Sequence, residues 1–227
     1  MISTWKAPGP DGTTSEELLL SFDESRSVRV LVLPALFDEA NSMRRFTVQV
    51  MRALDRRKID SFLPDLPGCN ESTMSLESQT LAFWNQSAIR AAEQVKATHV
   101  LAIRGGALIA PEALPGWHYA PLSGAKLLRG MIRARVIALR EAGREEGSAA
   151  LLEIGRNQGL VLNGWPIGAA MIRELEGAGP KTSKLQTKIV QSELGGAGLW
   201  LRAEPDDDEA QSQALAGMLD TEMGEPE

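Results

Sequence analysis

A chain of 227 residues, 43% of them hydrophobic, can bury one large core, and its net charge of −6 excludes a general nucleic-acid binder, which needs a basic excess to neutralise phosphate. The single cysteine, Cys69, excludes an intrachain disulfide and any multi-cysteine metal site, so a reducing cytoplasm is the expected compartment. No apolar run reaches the length of a membrane span, and the opening MISTWKAPGPDG lacks the apolar stretch of a signal peptide.

Residues 1–15, rich in Gly, Pro, Ser and Thr, predict a loose lead-in, and residues 18–22 an edge strand. SVRVLVL (27–33) predicts the first clear strand, stopped by Pro34. Over 42–57 the spacing predicts an amphipathic helix, with Phe46, Val50, Met51 and Leu54 on one face and Arg44, Arg45, Arg52, Arg56 and Arg57 largely elsewhere. A short strand at 59–63, a helix at 80–96 and the strand HVLAI (99–103) follow. Strands this apolar, alternating with helices, predict an α/β fold with a parallel sheet covered on both faces. Functional groups of such sheets collect at the carboxyl ends of the strands, so three loops matter: 34–41, 65–72 and the turn at Arg104.

Further along, a strand is expected at 117–122 and a helix at 125–144, whose apolar set is Leu128, Met131, Ile132, Val136 and Leu139. A second helix at 145–156, a short strand or hairpin at 159–165 and a helix at 166–175, opening on proline, come next. Strands at 185–191 and 199–203 flank a turn holding Gly195, Gly196 and Gly198, and a last helix over 207–223 carries acidic residues in its first turn. Asp206, Asp207 and Asp208 read as that solvated helix start, with cation binding as the other reading.

The turn after HVLAI has the outline of a strand–turn–helix nucleophile elbow. Its G-x-S-x-G pattern falls on Ala102-Ile103-Arg104-Gly105-Gly106, with Arg104 in the serine position. A guanidinium stays protonated and has no lone pair with which to attack. A serine triad of this kind also needs a histidine late in the chain; the two histidines are His99 and His118, and none follows. No catalytic residue is therefore expected. His99 reads as a boundary or core residue, and His118, beside Trp117 and Tyr119, as a pocket-lining residue or part of an aromatic cluster. Cys69 is the alternative nucleophile, but a reactive thiol needs a nearby cation, helix terminus or histidine, and its loop supplies Glu71. No His or Cys pair has metal-ligand spacing, and no cofactor is implied.

A cation at the start of a helix faces the positive end of the dipole, at a cost of roughly 0.3–1 kcal/mol when exposed. Arg104 therefore calls for an anion. Either Glu39 or Asp38 closes on it as a fixed ion pair, or Arg104 and the amides of Gly105 and Gly106 bind a carboxylate or phosphate, with Asn41, Arg44 and Arg45 extending the site. On the 125–144 helix, Arg129, Arg133 and Arg140 share a face near Lys126. That face is either a basic lid for an anionic ligand or a solvated surface balanced by Glu141, Glu145 and Glu146.

DLPGCNES (65–72) resembles the D-x-P/R-G-H-G-x-S turn of α/β-hydrolases, with Cys69 and Asn70 in place of the His-Gly pair. More narrowly, FDEANSMRR (37–45), DLPGCNES, AIRGGALIA (102–110), PLSGAKLLRGMIRARV (121–136) and GLVLNGWPI (159–167) are similar to the exosortase A system-associated hydrolase 2 proteins. The resemblance spans most of 28–176 and stops at Gly177. It implies an α/β-hydrolase-like, mostly parallel sheet with helices on both faces and a cap-like helical insertion near 123–180. All of it would lie in a single domain, 1–227, with loose ends at 1–15 and 224–227. It also implies an arginine inherited at the elbow, and a non-catalytic accessory or ligand-binding role linked to exopolysaccharide and exosortase systems. The alternative is an atypical esterase or thioesterase built on Cys69. The expected partners are a small anionic or glycan-related ligand and a second copy of the chain, the latter through any of Trp5, Trp165 and Trp200 that reach the surface.

Overall fold

The computed structural model describes residues 1–9, 12–181, 183–202, 206 and 208–224. In chain order the first elements are strands β1 (Ile2–Pro8), β2 (Thr14–Phe22) and β3 (Arg29–Leu33), helix α1 (Asp38–Arg56), strand β4 (Asp60–Pro64), helix α2 (Leu81–Val95) and strand β5 (His99–Ile103). Strand β6 (Gly116–Tyr119) leads to helices α3 (Gly124–Glu141) and α4 (Ser148–Gln158), the hairpin β7 (Leu160–Leu162) and β8 (Trp165–Ile167), and helix α5 (Ala169–Gly177). The chain then returns through β9 (Gln186–Ile189) to the short helix α6 (Gln191–Leu194) and helix α7 (Glu209–Gly224).

The main sheet has seven strands in the order β1-β2-β4-β3-β5-β6-β9. From β4 to β9 neighbouring strands are parallel, while β2 pairs antiparallel with both β1 and β4. The central strands are buried on both faces, which is why RVLVL and HVLAI read as unbroken apolar runs. From β3 the chain steps through α1 to β4 on one side, then back through α2 to β5 on the other. The sheet's reversal of direction therefore centres on the carboxyl end of β3, where α/β sheets bind ligands.

Two cores flank the sheet. On one face Phe46, Met51 and Leu54 of α1 meet Leu215 and Leu219 of α7. On the other, Trp84 of α2 packs with Leu128 and Ile132 of α3 and Met171 of α5. Each fully buried side chain of this size contributes roughly 1.5–3 kcal/mol. Helix α2 is delimited locally: Thr80 caps its start by accepting from the Phe83 amide at 3.0 Å, and Lys96 ends it in the left-handed region.

The structure departs from the expected elements in several places. Residues 2–8 are not a loose lead-in but an edge strand, because Trp5 and Ala7 alternate inward and are 1% and 0% exposed. That strand covers β2, which is longer than expected and interior to the sheet. Pro166 lies in β8, so the helix expected at 166–175 begins only at Ala169. The expected strand at 199–203 is, over its described part, a 3₁₀ turn at Leu199–Leu201. The elbow leads into a five-residue 3₁₀ turn, Arg104–Leu108, rather than a longer helix. Of the expected loose end at 224–227, Gly224 is the last residue of α7, while 225–227, like Asp207, lie outside the described residues. Among the described residues, no helix is long and apolar enough to cross a membrane.

Candidate functional site

At the carboxyl end of β5, Arg104 adopts φ 53°, a left-handed backbone that costs a non-glycine residue about 1–2 kcal/mol. Gly106 follows because the elbow crosses the end of β3 closely: a Cβ there would sit 2.6 Å from the Pro34 carbonyl oxygen and 2.8 Å from that of Leu33. The Arg104 side chain turns toward α1. Its Nε and Nη2 donate to the two Glu39 oxygens at 3.0 and 2.7 Å, and its Nη1 donates to the Ala120 carbonyl at 2.9 Å. The guanidinium carbon stands 3.9 Å from the centre of the Trp200 ring. With Arg104 only 8% exposed, this is a bidentate, charge-assisted pair that supplies the anion the buried cation requires.

Of the two acids in the first loop, Glu39 takes this role and Asp38 does not. Asp38 accepts from Trp165 Nε1 at 2.9 Å and from Asn163 Nδ2, both in the β7–β8 hairpin. The start of α1 is thus tied at one residue to the hairpin and at the next to the elbow.

Between the first two loops and the start of α1 lies a narrow cleft of about 40 Å³, room for a few waters at most. The first loop lines it with Phe37, Asn41 and Arg44, the second with Asp65, Cys69 and Asn70, and Trp84 and Trp165 close it. Of the residues expected to form one site, Asn41 faces this cleft, whereas Arg104, Gly105, Gly106 and Glu39 do not line it. No serine lines it either.

His118 lies within β6, opposite Ala102 and Lys188, buried and with Nε2 unpartnered. Burial favours its neutral form, with nearby Gln186 acting the other way. His99, at the foot of β5, stacks on Trp117 with ring centres 5.6 Å apart and planes inclined by 14°. Neither histidine lines the cleft.

The second loop is shaped from behind. Ser72 Oγ accepts from the Gly68 amide at 2.8 Å and donates to Glu17 Oε1 at 2.8 Å, and Ser15 Oγ donates to the same oxygen at 2.7 Å. Glu17 is 1% exposed, with Oε2 unpartnered. The loop itself needs a left-handed residue at Gly68, where φ is 83° and a Cβ would meet Leu76 Cα at 2.8 Å. Burial raises the Asp65 carboxyl above its ordinary value, while Asn70 and the Arg44 guanidinium, 3.8 Å away, pull it back. Burial, then the charges of Asp65 and Glu17, push the Cys69 thiol up to about 12. Only about one such thiol in 10⁵ is ionised at pH 7, so Cys69 is a poor nucleophile.

Sequence reasoning missed Glu17, Trp84 and Trp200. Only Glu17 left a signal, as a charged residue at an inward position of the Ser15, Glu17, Leu19, Ser21 alternation. Trp5, a candidate for a surface between two copies, is buried and donates to the Asp65 carbonyl at 3.2 Å. Trp165, which donates to Asp38, and Trp200, which lies against the Arg104 guanidinium, are both half-buried. Among the described residues, no group of three His, Cys, Asp or Glu side chains is placed to hold a metal ion.

No protein-family model matches this chain, and no curated protein matches it. Solved structures do. Mouse alpha/beta hydrolase domain-containing protein 10 is similar over 97% of this chain and 98% of its own, with TM-score 0.52 and 11% identity. The bottromycin epimerase BotH, in complex with bottromycin A2, is similar over 96% of this chain and 99% of its own, with TM-score 0.52 and 15% identity. The chain spans 62% of the length of a matching structure from Agrobacterium vitis S4. For epoxide hydrolase VrEH1 from Vigna radiata it spans 40%, at 14% identity and TM-score 0.40, too partial to carry an argument. The fold is that of the α/β-hydrolases: a mostly parallel central sheet with helices on both faces.

Proposed function

We propose that this α/β-hydrolase-fold chain is non-catalytic and serves as an accessory or ligand-binding protein linked to exopolysaccharide and exosortase systems. The observation that carries the non-catalytic reading is Arg104 in the nucleophile position, held bidentately by Glu39 in a nearly closed elbow. Its guanidinium neither attacks a carbonyl nor is free to receive an external anion, so Arg104, Gly105 and Gly106 serve the architecture of a former active site. The protonated Cys69 thiol and the lack of a histidine at the cleft weigh against an esterase or thioesterase built there. The fold does not by itself imply hydrolysis, since one protein that shares it is an epimerase with bound bottromycin A2.

The ligand reading moves to the cleft between the first two loops. Half-exposed Arg44 supplies a positive charge and Asn41 an amide, while Phe37, Trp84 and Trp165 supply an apolar wall. That lining complements a small anionic or glycan-related molecule, which enters only if the walls part to widen the cleft, with residues 123–180 acting as a cap within one domain, in the cytoplasm. The exopolysaccharide and exosortase setting rests on the sequence resemblance alone. A panel of short-chain p-nitrophenyl esters and thioesters tests the reading: hydrolysis no faster than buffer is expected, and turnover abolished by Cys69→Ala overturns it.

A further inference from the structure

The aromatic walls of the cleft are not held alike. Trp84 is fully buried and donates from Nε1 to the Pro67 carbonyl at 2.9 Å, and Phe37 is buried beside it, with ring centres 5.6 Å apart. Trp165 is half-buried and belongs to the β7–β8 hairpin, which stands outside the main sheet. It closes the cleft edge-on to Phe37, with ring centres 6.0 Å apart and planes inclined by 77°.

The indole is tied down by the Asp38 carboxylate. Asn163 and Gly164, at φ 49° and 87°, make the two-residue turn between Leu162 and Trp165. That turn sets Asn163 Nδ2 and Trp165 Nε1 on the two oxygens of Asp38. Asp38 is fixed from the other side, because its neighbour Glu39 is locked to Arg104. The base of the hairpin is fixed as well, since Leu162 and Ile167 on its inner face are buried in the core. The parts left to move are the Trp165 side chain and the turn. Asn163 is exposed and Asp38 half-buried, so water can replace both hydrogen bonds. Two states that differ by so few contacts leave the minor one populated at roughly 0.1–10%.

We propose that Trp165 is a gate over the cleft and Asp38 its latch. When Nε1 and Nδ2 release the carboxylate, the indole swings off Phe37, and the cleft, about 40 Å³ when closed, opens to admit its ligand. The gate rests on the ligand reading of the cleft, but it is measured with no ligand present. Cys69 lines the same cleft and is the single cysteine of the chain, so its labelling by the uncharged reagent 4,4′-dithiodipyridine reports opening. Asp38→Ala removes the latch and keeps the indole; labelling should quicken about tenfold or more, as for lost hydrogen bonds to a charged group. Asp38→Asn, which keeps one acceptor, should fall between. Trp165→Ala removes the gate and should label at least as fast as Asp38→Ala. Adding Asp38→Ala to it should then change nothing, whereas a direct effect of the Asp38 charge on the thiol would persist without the indole. Low concentrations of urea should leave the rates flat, as local opening requires. Wild-type labelling as fast as that of Trp165→Ala, no acceleration in either Asp38 variant, acceleration that persists without the indole, or rates that climb with urea as global unfolding does overturns the proposal. The ester and thioester panel bears on the non-catalytic reading alone, so the two failures are distinguishable.

Discussion

Removing Glu39 tests whether the elbow is built around a buried ion pair. In Glu39→Ala the Arg104 guanidinium keeps the Ala120 carbonyl and the Trp200 ring but loses two charge-assisted bonds. The two side chains are 10% and 17% exposed, so the cation cannot be fully rehydrated in place. Breaking one side of a buried pair costs about 3–5 kcal/mol, and the slight exposure of Glu39 points to the lower end, about 3 kcal/mol. For a chain of this size that lowers the unfolding temperature by about 6–12 °C. Removing both partners leaves no orphan charge, so Glu39→Leu with Arg104→Met should be less damaging than the sum of the single changes, with a coupling of about 1–3 kcal/mol. Urea titrations of the four proteins give the cycle. A single-variant cost below about 0.5 kcal/mol, with additive effects, would refute the reasoning, because Arg104 would then be an ordinary solvated residue.

Three further outcomes follow from local geometry. Cys69 in the native protein should react with a thiol reagent at pH 8 far more slowly than free cysteine does, with its rate still rising above pH 10, given a thiol near 12; free-cysteine reactivity at neutral pH would contradict this. Gly106→Ala, whose Cβ meets two carbonyl oxygens at 2.6 and 2.8 Å, should destabilise by about 1–3 kcal/mol. Gly130→Ala, on α3 with nothing within 4 Å, should stabilise by about 0.5–1 kcal/mol, and equal unfolding temperatures for the two variants would contradict the packing at the elbow. Burial raises the Asp65 carboxyl from 3.8, so between that value and the raised one the native state keeps a proton that the unfolded chain has released. Stability therefore falls as pH rises through that window, and the cost persists above it. Asp65→Asn should unfold at a higher temperature than wild type at pH 7 and at the same temperature near pH 3. A gain that persists at pH 3, or a loss at pH 7, would contradict burial as the dominant cause.

The legible parts of the fold are those whose signal is local. RVLVL and HVLAI announce buried parallel strands because both faces of each are covered, and the apolar stripe of α1 survives its four arginines. Strand β1 was hidden because its evidence is only two inward residues, Trp5 and Ala7, in a stretch of turn-forming composition. The elbow pair was half legible. Strand order brings the first loop to Arg104, but choosing Glu39 over Asp38 depends on the β7–β8 hairpin, whose Asn163 and Trp165 claim Asp38 from far along the chain. Trp200 against Arg104 had no sequence signal, because the turn that carries it reads as a strand. The cleft was misplaced for a related reason: the guanidinium is held among Glu39, Ala120 and Trp200 and lines no part of the cleft, and sequence spacing does not encode that side-chain direction.

The most direct measurement of the closed elbow is the amide-type exchange of the Arg104 Nε proton with solvent, followed by ¹⁵N NMR. Held by Glu39 at 3.0 Å and 8% exposed, that proton should be strongly protected relative to the Nε proton of exposed Arg52, and Glu39→Gln should remove most of the protection. Exchange as fast as that of Arg52 in the unmodified protein would mean that the arginine is free, the former nucleophile position open, and the account of a plugged site wrong.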